Sequence, residues 1–372
     1  MRALVTGGAG FIGSHLVDAL LARGAEVRVL DNLLPQAHRS GRPVNVAAAA
    51  ELRVADLRDR DAVEAALHGV DTVFHLGGIV GNGQSMLDVR RYADINVVGT
   101  ATLLEAMIGR RAQFRRLVVA SSMVVYGDGA YACPQHGALS VPVEREVARL
   151  TRGQWEPTCP LCGAEVSARP TDESQPLRPT SVYGVNKRDQ EELALVVGRA
   201  HELPTIALRY LNTYGSRQAL SNPYTGVCAL MITRMLAGRR PTIFEDGAQV
   251  RDPTHVSDIV RATLAAADAG EGALYRAINV GRGEPVSVVA MARALARTLG
   301  RDIEPHITGE FRTGDIRHCY ADVHLAKTLL HWSAQVSFEE GARELAEWAA
   351  HQAPDDLTDA ANDELRQKGL IR

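Results

Sequence analysis

Lysine is nearly missing from this chain: of 41 Lys and Arg residues, only Lys187, Lys327 and Lys368 are lysine. A surplus of positive charge is missing too, since 44 acidic residues leave a net charge of −3. Neither a nucleic-acid nor a membrane partner is therefore expected. No apolar run approaches about 18 residues and the N-terminus opens directly on a core-type strand, so no transmembrane helix or signal peptide is expected. The expected location is cytoplasmic. Internal repeats and low-complexity tracts are absent as well. What remains is a globular composition, 46% hydrophobic in 372 residues, enough for one large α/β domain with elaborations or for two lobes.

The first fifteen residues carry a strong local signal. A short apolar run, Ala3 to Val5, is followed by Gly7, Gly10 and Gly13, and the helical pattern Phe11, Ile12, Leu16, Ala19, Leu20 begins at once. Strand, glycine turn and helix in that order form a dinucleotide fingerprint. Glycine lets the backbone approach a pyrophosphate, and the helix start offers free N–H groups. A second strand, Val27 to Leu30, ends at Asp31, 18 residues beyond Gly13. A carboxylate there accepts hydrogen bonds from the adenosine ribose and repels a 2′-phosphate, which favours NAD over NADP.

The scarce lysine then becomes informative. Lys187 lies four residues after Tyr183, and with nine tyrosines and three lysines such a pair arises by chance only about 0.07 times. On a helix the two share a face, so the ammonium is expected to lower the phenol's pKa and make it a proton carrier. A surface Tyr–Lys pair is the bland alternative.

Further strands are expected at Leu52 to Ala55, Thr72 to Leu76, Arg116 to Ala120 and Thr205 to Arg209, alternating with helices, as in a parallel sheet of βαβ units. Ligands bind at the carboxyl ends of such strands. Asn32, Asp56 and Leu57, then Leu76, Gly77 and Gly78, and finally Ser121 and Ser122 stand there. A long helix spans Tyr92 to Leu104 and contains Asn96. Ala277 to Val280 is expected to rejoin the sheet. The histidines His15, His75 and His255 are expected to pack or hydrogen-bond locally.

These motifs, with Asn96-Val97-Val98-Gly99-Thr100, Ser121 to Gly127, Arg209 to Gly215, Arg251 to Asp258 and Gly314-Asp315, resemble the extended short-chain dehydrogenase/reductase family on its nucleotide-sugar epimerase and dehydratase branch. The resemblance runs from Met1 to about Ala349. It implies a doubly wound Rossmann sheet with NAD bound by Gly7, Gly10, Phe11, Ile12, Gly13, Asp31, Asn32, Asp56, Leu57, Leu76, Gly77, Gly78, Asn96, Tyr183 and Lys187. It implies Ser122, Tyr183 and Lys187 as catalytic residues, and substrate contacts from Ser85, Ser122, Met123, Asn212, Arg251, Arg312 and Cys319. Arginine suits a diphosphate because its planar fork bonds two oxygens at once.

Dehydratases of that branch carry an Asp-Glu pair after the catalytic hydroxyl residue, whereas Met123 and Val124 here cannot transfer protons. The resemblance thus implies an NAD-dependent nucleotide-sugar 4-epimerase working through a transient 4-keto sugar. The loops Gln218 to Tyr224 and Glu245 to Gln249 resemble those of dTDP-L-rhamnose 4-epimerases, so a dTDP-6-deoxyhexose is the expected substrate. A UDP-hexose or UDP-uronate epimerase and an NAD(P)H-dependent 4-ketoreductase are the alternatives, and an NAD-binding sensor is a third. A homodimer through the helices bearing Tyr183 and Asn96 is also implied.

Ser122 and Tyr183 are 61 residues apart, about twice the spacing of such relatives. The extra stretch holds Cys133, His136, Cys159 and Cys162, as Cys-x-x-His, 22 residues, then Cys-x-x-Cys. Two knuckles of this kind form a Cys₃His zinc set, expected here to be structural. A Cys159–Cys162 disulfide or unligated thiols are the alternatives. The expected division is a cofactor domain over 1–127 and 173–208 with a return near 255–283, the Cys/His insert at 128–172, a smaller substrate-binding lobe at 209–254 and 284–352, and a polar tail at 353–372.

Overall fold

A computed structural model describes residues 1–38, 45–139 and 144–372. Positions 39–44 of the cofactor domain and 140–143 of the insert lie outside the described residues. The main sheet has seven strands, β1 (Arg2–Thr6), β2 (Glu26–Asp31), β3 (Glu51–Val54), β4 (Thr72–His75), β5 (Arg116–Ser122), β6 (Thr205–Tyr210) and β7 (Arg276–Val280). Their spatial order is β7-β6-β5-β4-β1-β2-β3, and all neighbours are parallel. Apolar side chains dominate β1, β4, β5 and β6 because helices cover both faces. One core packs Leu16, Val17, Ile259 and Leu264 on one face, and another packs Val63, Leu103, Met107 and Ala194 on the opposite face. The direction of strand progression reverses between β1 and β4, and a crevice opens there at the strands' carboxyl ends.

Two helices matter most near that crevice. Helix α1 (Phe11–Ala22) follows the glycine turn. Helix α2 (Val182–Ala200) starts with Ser181, whose hydroxyl accepts from the N–H of Gly184, one of the first-turn donors that lack an intrahelical partner. The helix through Asn96 is longer than its periodicity predicts, running from Val89 to Ile108 with a π turn at Asp94–Val98.

A third core joins the helices Val227–Leu236, Val288–Thr298 and Phe338–Ala350 around Met231, Met291, Leu295 and Leu345. The insert adds a small antiparallel sheet of Ala130–Cys133, Gly137–Ala138 and Ser167–Arg169. The polar tail carries regular structure. It forms helix α3 (Thr358–Gln367), and its last residues pair with Phe311 and Thr313 through main-chain hydrogen bonds.

Candidate active site

One cavity of about 920 Å³ joins the glycine turn, the carboxyl ends of β1, β2, β4 and β5, the start of α2 and the second lobe. The glycine turn is tight. Gly7 has φ +67°, and a Cβ on Gly13 would lie 2.2 Å from the carbonyl oxygen of Gly7, so a side chain at either place would break the turn. Asp31 lines the cavity at the end of β2. Its carboxylate accepts from the N–H groups of Ala9 at 3.1 Å and Leu33 at 2.9 Å, which fixes its orientation and leaves lone pairs for a further donor. Next to it the Asn32 amide donates to Asp56 at 3.0 Å, and the neighbouring Arg58 holds the Asp56 carboxyl well below the usual range. A turn closed to side chains, an adjoining helix start and an acid at the second strand's end fit a dinucleotide with a free ribose 2′-hydroxyl.

Across the cavity stand Ser122, Tyr183 and Lys187. Tyr183 and Lys187 lie one turn apart on α2, and Ser122 ends β5 and lines the same cavity as the Tyr183 phenol. The Lys187 amine donates to the Ala120 carbonyl at 2.8 Å. Burial takes its pKa down to about 8. The same burial pushes the Tyr183 phenol well above its ordinary value, opposed by the nearby Ser122 side chain. Burial of the phenol thus raises its pKa, where the spacing alone led to a lowering by Lys187 being expected. Lys187 is occupied by a carbonyl, and enclosure by protein disfavours the charged phenolate more than these neighbours favour it.

Gly7, Gly10, Phe11, Ile12 and Gly13 line the cofactor end with Asp31, Asn32, Asp56, Leu57, Leu76, Gly77 and Gly78, while Met123, Asn212, Arg251 and Arg312 line the second lobe's side. The Arg251 guanidinium donates to the carbonyls of Ile316 at 2.6 Å and Arg317 at 3.0 Å. Arg312 is held by Asp315 at 3.0 Å and lies over the Phe244 ring at 4.7 Å.

Three expected contacts are not among the cavity-lining residues. Asn96 is buried behind the Gly77–Gly78 turn, where its amide accepts from the N–H of Ile79 at 2.8 Å and donates to that residue's carbonyl at 3.1 Å. Ser85 is fully buried and accepts the N–H of Tyr183. Cys319 is buried against Met123, Val125 and Leu211. Each shapes the wall from behind, because a buried polar group must first find a protein partner. The histidines His15, His75 and His255 bond to Ser216, to Thr6 and Thr100, and to Ser257 respectively. Residues that spacing did not point to also line the cavity, notably Phe244, Thr358 and Asn362. The tail's apolar positions Leu357, Ala361 and Leu365 have helical spacing, which was the available signal.

In the insert, Cys133, His136, Cys159 and Cys162 bring their ligand atoms within 4.8 Å of one another. The Cys133 sulfur lies 3.5 Å from His136 Nδ1 and 3.6 Å from the Cys162 sulfur, and the Cys159 sulfur lies 3.7 Å from the same nitrogen. Tetrahedral zinc with ordinary bond lengths sets such edges at roughly 3.5–3.8 Å. The three cysteines are not joined by a disulfide.

A doubly wound sheet with this crevice, a glycine turn, an acid at β2 and a Ser–Tyr–Lys set defines a dinucleotide-dependent enzyme acting at a carbon–oxygen bond. A family model described as NAD dependent epimerase/dehydratase matches residues 3–146 and 158–281. The chain is 36% identical over 354 residues to the dTDP-L-rhamnose 4-epimerase of Burkholderia thailandensis, covering 94% of this chain and 95% of that protein. A UDP-glucose 4-epimerase of Thermotoga maritima, solved with UDP-glucose, superposes with TM-score 0.76 at 31% identity, over 94% of this chain and 98% of the other. A UDP-glucuronic acid 4-epimerase of Bacillus cereus, solved with UDP-glucuronic acid and NAD, gives TM-score 0.76 at 27% identity with the same coverages. The chain belongs to the NAD dependent epimerase/dehydratase family, within its nucleotide-sugar epimerases, which are isomerases.

Proposed function

We propose that this epimerase inverts C4 of a dTDP-linked 6-deoxyhexose such as dTDP-L-rhamnose. The observation that carries the proposal is the meeting of Ser122, Tyr183 and Lys187 with the glycine turn in one cavity, beside Met123 and Val124, which hold no transferable proton. Elimination needs an acid and a base next to the sugar; reversible oxidation at one carbon needs only a single proton carrier.

Ser122 positions the sugar hydroxyl by hydrogen bonding, and the Tyr183 phenol takes its proton and later returns it. Lys187 holds the ribose nearest the reacting ring through the amine that now bonds Ala120. NAD, when bound, would supply the hydride acceptor and donor and a positive charge near the residues that hold it, Tyr183 and Lys187 among them. A positive neighbour acts against the burial that holds the phenol neutral. Arg251 and Arg312 hold the diphosphate, with Asn212 beside them. Incubation with dTDP-, UDP- and GDP-sugars, followed by NMR at C4, tests the proposal. Inversion without added reductant supports it, and stoichiometric NADPH oxidation would indicate a 4-ketoreductase. Conversion of UDP-glucose or UDP-glucuronate in preference to dTDP-sugars would replace the substrate, a reading favoured by the two solved relatives with UDP-sugars.

The insert is proposed to hold structural zinc on Cys133, His136, Cys159 and Cys162. Its own apolar cluster is small, Tyr131, Cys133, Leu139, Cys159 and Val166, so metal binding would supply much of its folding energy. Four protein ligands leave no open position for catalysis. Metal analysis of the wild type against Cys159→Ser tests this, and full retention of zinc by the variant would refute the ligand set. Unpaired thiols suit a reducing compartment, and we place the protein in the cytoplasm; no helix among the described residues is long and apolar enough to cross a membrane. Association as a homodimer through α2 and the helix of Asn96 is supported by Val98, Val185 and Val196, which expose 43–65% of their surface there.

A further inference from the structure

A row of polar side chains crosses the main sheet one residue short of Ser122. Ser121 of β5, Arg209 of β6 and Asn279 of β7 are register partners, so their side chains share one face of the sheet, and all three are buried. The row two residues earlier on that face, Val119, Ala207 and Ala277, is apolar. Helix α2 supplies the opposite charge. The Glu191 carboxylate accepts from Arg209 at 2.5 and 3.0 Å and from the Ser121 hydroxyl at 2.6 Å. The same guanidinium donates to the Tyr126 hydroxyl at 2.8 Å and lies 4.8 Å from the centre of that ring, and Tyr126 donates to Asn279 at 2.7 Å.

Stability gives no account of this network. Two charges taken out of water lose about as much solvation as their pairing returns, and apolar groups of similar volume often serve a fold equally well. Its placement does give one. Tyr126 ends the short turn Met123–Tyr126 that follows Ser122, and Ser121 precedes it. Arg209 thus holds the chain on both sides of Ser122, directly at Tyr126 and through Glu191 at Ser121. Glu191 also lies eight residues beyond Tyr183 and four beyond Lys187 on α2, which puts all three on one face of the helix. Along that face α2 meets successive residues of β5, since Lys187 donates to the Ala120 carbonyl and Glu191 takes the Ser121 hydroxyl. Neither Arg209 nor Glu191 lines the cavity.

We propose that Arg209 and Glu191 are positioning residues for the proton transfer, locking the strand end that carries Ser122 to the helix that carries Tyr183. The inference rests on the epimerase reading and deepens it. Both hydroxyls must reach one sugar oxygen at hydrogen-bond distance, and a misplacement of about 1 Å can cost on the order of 10²-fold in rate.

Steady-state epimerisation of the nucleotide sugar that wild type turns over, assayed where each protein is fully folded, tests this. In one variant, Glu191→Met with Arg209→Met, the pair becomes apolar at similar length. It should melt at or above the wild-type temperature and keep its NAD, yet lose about 10–100-fold in kcat with KM within about twofold of wild type. Arg209→Lys keeps the charge but cannot fork between Glu191 and Tyr126, so it should not restore kcat. Tyr126→Phe leaves the ion pair intact, removes one hydroxyl, and should lower kcat about threefold to tenfold. If the double variant, folded and NAD-loaded, has a kcat within about twofold of wild type, or loses only KM, the positioning role is refuted and the epimerase reading stands. Should the double variant not fold, Tyr126→Phe decides by the same criterion. If wild type inverts no nucleotide sugar, the proposed function fails first and this inference with it.

Discussion

The backbone N–H of Tyr183 donates to the hydroxyl of Ser85 at 3.0 Å, although the two are 98 residues apart in the chain. Ser85 in turn donates to the Asn82 carbonyl at 2.7 Å. The loop after β4 is thereby tied to the first turn of α2, and the phenol's height above the cavity floor depends on a residue that does not line the cavity. Ser85→Ala removes a buried acceptor from a helix N-terminus and is expected to cost about 1–2 kcal/mol of stability. Because it shifts the tyrosine rather than the substrate contacts, kcat should fall more than KM rises. Thermal melts together with steady-state epimerisation kinetics check both halves; a pure KM effect would restore Ser85 to the substrate site.

Tyr183→Phe keeps the ring and removes the proton carrier. The expected loss is about 10²–10⁴-fold in kcat, with bound NAD unchanged by absorbance after protein denaturation. Turnover near the wild-type level would assign the proton transfer to another group.

Lys187 gives a pH signature with a defined sign. Its pKa is about 8 in the folded chain, below the ordinary 10.5. Between these values the unfolded chain binds more protons than the folded one, so folding stability contributed by this residue rises with pH. Below about pH 8 the amine is charged in both states and the full burial cost is present. Lys187→Met is therefore expected to melt higher than wild type at pH 7, with the difference shrinking towards pH 10. Melting curves of the two proteins across that range, without added nucleotide, provide the check; a constant difference would show that the lysine does not titrate there.

The insert grips Arg317 and His318 through Glu156. This carboxylate bonds the fully buried Arg317 at 2.5 Å and His318 at 2.9 Å, and Arg317 also meets Glu245 at 2.9 Å and Asp246 at 2.6 Å. The Arg317 carbonyl is one of those that orient Arg251. Glu156→Gln should cost about 1 kcal/mol, reduced because the side chain is partly exposed, and should raise KM for the nucleotide sugar while NAD affinity holds. Chelation of the zinc proposed for the insert is expected to act in the same direction. Equal effects on both ligands would show that the insert merely stabilises the fold.

Much of the cofactor half could be read from local pattern. The glycines, Asp31 and the apolar runs of β1 to β7 work through backbone geometry and period, which neighbouring residues dictate, and the structure places all seven strands in one sheet. The Cys/His cluster was legible for a related reason, since two short knuckles each bring a pair of ligands together before any long-range contact forms. Other assignments needed contacts that spacing does not encode. Ser85, Asn96 and Cys319 face protein because a loop, a turn and a wall distant in sequence are packed against them.

Composition and motif spacing alone determined the parallel sheet, the dinucleotide turn and the pairing of Tyr183 with Lys187 on one helical face, because each is set within a few residues of backbone. Tertiary packing alone decided that the phenol's pKa is pushed up, since that shift is governed by how completely distant segments exclude water. The same packing brought Thr358 and Asn362 back across the cavity, a placement that hydrophobic burial of Leu365 and pairing with residues 311–313 impose and no local pattern could announce.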